Sequence, residues 1–134
     1  MSQWHVGILM SNTAYFIDAN IIMYAVGASH PLKDPCAQIL IDIGNQLIQV
    51  VTNIEVLQEI LHRYTSLKRR VEATRVARDL IRLASKIYPI TLAEIERALQ
   101  IHLQYPALTA RDSIHTATMY NQGPNAYFIC RCPF

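Results

Sequence analysis

Short apolar runs alternate with helix-patterned segments along this chain, and that alternation narrows the folds open to it more than any single residue does. Tyr15–Ile17 reads as a buried strand and Asn20–Val26 as the helix that follows it. After a loop at Gly27–Pro31, Asp34–Gly44 sets Cys36, Ala37, Ile39, Leu40 and Ile43 at helical spacing, with Gly44 as the stop. Gln46–Val51, β-branched at its end, is the expected second strand. Thr52-Asn53-Ile54-Glu55 has the form of a capping box, and Leu57, Ile60, Leu61 and Tyr64 then recur at i, i+3, i+4, i+7, so a helix is expected over Asn53–Ser66. Lys68–Lys86 reads as a basic helix burying Val71, Ala77, Leu80, Ile81 and Ala84. Tyr88–Ile90 is a short extended piece, and Thr91–Glu94 is a second capping box, opening a helix that ends before Pro106. Leu108–Asp112 leads into a further helix broken by Gly123-Pro124, and Ala126–Cys130 is the last strand. Strands that alternate with helices in this way pack as an α/β fold, a central parallel sheet wrapped by helices.

A chain of 134 residues is long enough for one domain with a real core. Residues 1–12 read as an N-terminal extension or extra strand, with Val6–Met10 as its candidate, and residues 13–134 as the domain. No apolar run reaches the roughly 18 residues of a membrane helix. The first dozen residues hold no Lys or Arg and lack the pattern of a signal peptide, so a cytoplasmic protein with no membrane association is expected. Cys36, Cys130 and Cys132 fit no zinc spacing and no disulfide framework. With four glycines there is no phosphate-binding loop and no nucleophile elbow. The apolar fraction of 51% is compatible with a homodimer or an obligate partner, although parallel sheets are apolar in any case.

Three acids are candidates for chemistry, and each has a second reading. Asp18 follows the first strand, at the carboxyl end where open α/β sheets collect ligands, and is equally suited to cap the next helix. Glu59 lies off the Leu57/Leu61/Tyr64 stripe, which fits either an exposed ion pair with Arg63 or a position facing a cleft. Asp112 can complete a capping box with Thr109 or contribute to a site. Between Arg63 and Lys86, eight Lys and Arg stand against Glu72 and Asp79, a stripe suited to a phosphate backbone or to a solvated helix face.

Tyr15-Phe16-Ile17-Asp18-Ala19-Asn20 resembles the opening of PIN domains, where a strand delivers an aspartate followed two residues later by Asn, Ser or Thr. Val56-Leu57-Gln58-Glu59-Ile60-Leu61 is similar to the family's second acid on an internal helix, and Leu108 to Thr118 to its Asp-x-x-His-x-Ala helix start. The likeness covers about Thr13 to Ile129 and is nearest to the small ribonuclease toxins of toxin–antitoxin pairs. It implies a PIN-like three-layer α/β/α fold with a central parallel sheet and a shortened C-terminal part. It also implies a metal-dependent endoribonuclease acting on single-stranded RNA and restrained by a cognate antitoxin. Asp18, Glu59 and Asp112 become the catalytic and metal-holding acids, with Asn20 beside them orienting water. Three such carboxylates repel one another, each pair by about 3 kcal/mol near 5 Å at an effective dielectric of 20. Mg²⁺ or Mn²⁺ is the cation that relieves this with oxygen ligands. Arg69, Arg70, Arg75 and Arg111 are the candidates for RNA contact. Beyond the last strand the family carries a further acid, whereas Phe128-Ile129-Cys130-Arg131-Cys132-Pro133-Phe134 has none. The alternative function is therefore a catalytically impaired PIN-like module that binds RNA or protein without turnover.

Overall fold

The computed structural model describes residues 14–122 and the strand at Ala126–Phe128. The expected extension at residues 1–12 and the acid-free segment Ile129–Phe134 lie outside the described residues.

Strand β1 is Ala14–Phe16, and β2 (Gln49–Asn53), β3 (Lys86–Tyr88) and β4 (Ala126–Phe128) join it in one sheet of order β3-β2-β1-β4. All three pairings are parallel, with Phe16 opposite Val51 and Phe128, and Asn53 opposite Tyr88. Helices α1 (Ala19–Val26), α2 (Lys33–Gly44), α3 (Ile54–Ser66), α4 (Arg70–Leu83), α5 (Leu92–Gln104) and α6 (Ala110–Gln122) flank the sheet in a three-layer α/β/α arrangement. Successive strands step from β1 to β3 on one side, and the chain then returns to place β4 on the other side of β1. The carboxyl end of β1 is thus a switch point, the place where such sheets open a crevice.

The core is built on Phe16, Ile17, Val50 and Val51 from the centre of the sheet. Ile21 and Ile22 of α1, Ile39 and Ile43 of α2, Val56, Ile60 and Tyr64 of α3, and Val76 and Leu80 of α4 close over it. Several local expectations are corrected. The second strand starts at Gln49 and runs to Asn53, because Gln46 adopts φ 62° and ends α2 rather than starting a strand. Its N–H donates to Ile43 O and the Leu47 N–H to Asp42 O, the pairing of a Schellman stop. Lys68 ends α3 in the same way at φ 61°, with the Arg69 N–H donating to Tyr64 O, so α4 begins at Arg70. Lys86 belongs to β3.

The buried stripe of α4 is Ala73, Val76, Ala77 and Leu80, and Val71 and Ile81 face outward. On α3, Leu61 is exposed, and Val56, Ile60 and Tyr64 carry the packing. The capping box expected at Thr52–Glu55 does not form. Thr52 is still in the strand, its hydroxyl donating to Ile17 O, and Asn53 caps α3 by accepting from the Val56 N–H at 3.0 Å. The second capping box forms as expected, with Thr91 and Glu94 bonded reciprocally.

Candidate metal centre

Two adjacent strands, β1 and β2, lead into residues that cap the following helices, Asp18 just beyond β1 and Asn53 at the end of β2, and those two caps lay out the site. Asp18 adopts an extended backbone at the N-cap of α1, and its carboxylate accepts from the Ala19 N–H at 2.6 Å. It is nearly buried all the same, and its Oδ1 lies 3.8 Å from His115 Nε2. Capping and a place in the cluster are therefore not alternatives for this residue. The N-cap position puts the carboxylate at the positive end of α1, which favours its charged form.

Glu59 enters from α3 and is buried, so the reading in which it faces inward is the one observed. It neighbours the Val56–Ile60–Tyr64 stripe, and burial of an acid there demands compensation. Two guanidiniums supply it. Arg63 Nη1 stands 3.5 Å from Glu59 Oε2 and also donates to Asn20 Oδ1 at 3.2 Å. Arg111 Nε stands 3.5 Å from Glu59 Oε1 and 3.8 Å from Glu55 Oε2. Burial pushes the Glu55 carboxyl above its ordinary value; Arg111 draws it back and Glu59 adds to the rise.

The third member is His115 of α6, part of the Asp-x-x-His-x-Ala segment but without an assigned role in the sequence. Its ring is fully buried, tilted against Phe16 with centroids 5.0 Å apart. Its Nδ1 lies 3.1 Å from Asn53 Nδ2. Ligand atoms of Asp18, Glu59 and His115 all fall within 4.8 Å of one another. Two of the three expected acids are thus brought together, joined by a histidine.

Asp112 is not a member of that group. It is half-buried in the first turn of α6, where its N–H donates to Thr109 Oγ1 at 3.1 Å, the capping contact the sequence allowed. It precedes His115 by three residues, a spacing that keeps both on one side of the helix. That i, i+3 relation to a suspected acid is the signal that could have singled out His115. Asn20 is exposed at the start of α1. Arg69 and Arg75 both pair with Glu72 on α4, and Arg70 is exposed nearby. Together with Thr65 and Lys68 they line a basic cleft.

Close carboxylates in a largely buried setting call for positive charge. The guanidiniums of Arg63 and Arg111 provide it for Glu59, and the same oxygens suit a hard divalent cation. The donor set of two carboxylates therefore fits a divalent cation with a preference for oxygen ligands.

The sequence profile of the PIN domain family matches residues 15–125. The chain is 43% identical over 104 residues to VapC ribonuclease Mb1869c of Mycobacterium bovis, covering 77% of this chain and 79% of that protein. It is 34% identical over 108 residues to ribonuclease VapC23 of Mycobacterium tuberculosis, covering 81% and 85%. Ribonuclease VapC7 of the same species is 32% identical over 111 residues, covering 82% and 77%. No solved structure matches the chain at comparable significance.

Proposed function

The chain belongs to the PIN domain family, and on that premise we propose that it is a metal-dependent endoribonuclease of single-stranded RNA, the toxin of a toxin–antitoxin pair. The observation that carries this reading is the convergence of Asp18 and Glu59 at the carboxyl end of β1, within 4.8 Å, in a chain whose relatives are named ribonucleases. Asp18, Glu59 and Asp112 would hold Mg²⁺ or Mn²⁺, directly or through water, with Asp18 and Glu59 already brought together. The cation supplies Lewis-acid polarisation of a phosphate oxygen and a nucleophile at neutral pH.

The remaining work falls to the protein's own side chains. Arg63 and Arg111 flank Glu59, and with a cation bound there as counter-charge their guanidiniums would be available to RNA phosphates. Asn20 holds Arg63 in that position through its side-chain oxygen and orients water beside Asp18. Arg69, Arg70 and Arg75 extend the phosphate track along the start of α4, where an open basic surface suits an unpaired strand. The partners are thus RNA and a cognate antitoxin, and a homodimer is compatible with the exposed apolar residues of α5, Leu99 and Leu103. Among the described residues no helix is long and apolar enough to cross a membrane; the cytoplasm is the location proposed for the toxin.

Cleavage of a mixed single-stranded RNA pool tests the proposal. The native protein is expected to cut with Mg²⁺ or Mn²⁺ and to stop with EDTA. Asp18→Asn and Asp112→Asn are expected to lose at least a hundredfold in rate. RNA binding without cleavage by the native protein, under every metal tried, would replace the nuclease by the non-catalytic binding module.

A further inference from the structure

The histidine arm of the cluster has the spacing of a metal ligand, and its hydrogen bonds decide whether it has the lone pair for that role. The Val56 N–H can only donate, so the Asn53 side-chain atom facing it at 3.0 Å must be the carbonyl oxygen. The other end of the Asn53 amide is then the NH₂ group. It faces two acceptors, Thr118 Oγ1 at 3.0 Å and His115 Nδ1 at 3.1 Å. Thr118 is free to accept because its own proton is given to Ile114 O at 3.0 Å. An amide NH₂ cannot accept, so His115 Nδ1 must present its lone pair to Asn53. A neutral imidazole with a lone pair on Nδ1 carries its proton on Nε2, and Nε2 is the atom 3.8 Å from Asp18 Oδ1. Flipping Asn53 to reverse this would set its NH₂ against the Val56 N–H and strip α3 of its cap. Asn53, Thr118 and His115 are fully buried, so water cannot take over either contact.

We propose that Asn53 locks His115 as the Nε2–H tautomer, which makes His115 a positioning residue that presents an N–H to the Asp18 side of the site and does not ligate the cation. The proposal rests on the reading above for its consequence, that Asp18 is thereby held for metal, while the tautomer itself stands on the hydrogen-bond geometry alone. The usual arrangement at metal centres is the reverse: a ligating histidine donates its distal N–H to an acceptor, leaving the other nitrogen's lone pair for the metal. Here the distal partner is a donor, so the fold denies the imidazole to a metal and leaves an oxygen-only set. Such a set favours Mg²⁺ and Mn²⁺ over Zn²⁺, which prefers imidazole. An Nε2–H near Asp18 also steadies the carboxylate by the attraction between its dipole and the negative charge.

The test is ¹⁵N–¹H correlation spectroscopy of the histidine side chains in the native protein, with the His115 signals assigned by their loss in His115→Gln. The expected spectrum shows a protonated Nε2 and a bare Nδ1, unchanged when Mg²⁺ is added. Protonation at Nδ1, or loss of the Nε2 proton on addition of Mg²⁺, overturns the proposal. Calorimetric titration in the same samples reports Mg²⁺ binding separately. If Mg²⁺ does not bind at all, the nuclease reading fails while the tautomer result stands. His115→Leu is expected to weaken Mg²⁺ about tenfold, the range for loss of a group that orients a ligand. His115→Gln, which can restore an N–H donor, is expected to recover most of it. Equal affinity in native and Leu variants overturns the positioning role. Asn53→Asp keeps an acceptor for Val56 and turns the donor into an acceptor, so it is expected to move the proton to Nδ1 and raise Zn²⁺ affinity at least tenfold. A folded Asn53→Asp protein that retains the Nε2–H tautomer contradicts the lock.

Discussion

Asp18 shows why a single residue resists one label. It caps α1 through the Ala19 N–H and faces the cluster with Glu59 and His115 in the same rotamer. Asn is as good an N-cap as Asp, so Asp18→Asn is expected to leave the metal-free protein within about 0.5 kcal/mol of native stability. Arg111 is a second residue with two tasks, since it neutralises Glu59 and Glu55 and is proposed to contact phosphate. Arg111→Met is expected to tighten Mn²⁺ about threefold by calorimetry, because a competing cation is removed, while RNA binding weakens. Asp18 was legible because strand, acid and helix follow one another locally. The environment of Glu59 was not, because helical periodicity cannot distinguish an acid buried against two arginines from one paired at the surface. The surroundings of His115 were hidden for a different reason. Its partners Asn53, at the end of β2, and Asp18, at the N-cap of α1, lie far away in the sequence, and only the folded sheet brings them to it.

At the scale of elements, the helix stops explain most of the shifted boundaries. Gln46 and Lys68 hold positive φ in Schellman turns that usually take glycine, so neither stop stands out in the sequence. Gln46→Gly is expected to raise unfolding stability by about 1 kcal/mol in urea, since a non-glycine side chain pays for the left-handed conformation. The start of α5, in contrast, was readable outright. Glu94 is buried and accepts from Thr91 and Asn121, and these bonds, the Thr91 hydroxyl first, hold its carboxyl down at about 2 against an ordinary 4.5. A depressed folded value means that the ionised form stabilises the native state. That contribution is complete above pH 4.5 and is lost as pH falls toward 2. Glu94→Gln is expected to cost about 2 kcal/mol at neutral pH, and urea unfolding across pH 5 to pH 2 should show the gap between native and variant closing on the acid side.

For the whole molecule, the parallel sheet of order β3-β2-β1-β4 follows from the alternation of strands and capped helices, and it places the switch point beside β1. That much of the architecture was open to a reading of the sequence. The order of strands was not, because no local pattern records which edge of β1 receives β4. The basic segment also gained detail: several of its charges pair within α4, Arg69 and Arg75 with Glu72 and Arg82 with Asp79. Surface pairs of this kind are weak and yield readily to phosphate. Arg70→Ala and Arg75→Ala are each expected to lower the slope of log K against log salt for RNA binding by about 0.7, one phosphate contact apiece.

If the carboxylates converging beyond β1 hold a divalent cation, removing either one must weaken the binding of that cation. Titration of Mn²⁺ into the native protein, Asp18→Asn and Glu59→Gln by calorimetry, with thermal unfolding of the metal-free samples alongside, tests it most directly. Affinity is expected to fall at least tenfold in both variants while the melting temperature of metal-free Asp18→Asn stays near that of the native protein. Unchanged Mn²⁺ affinity with a large loss of stability would contradict it, and would leave Asp18 a helix cap and Glu59 the centre of a structural arginine pair.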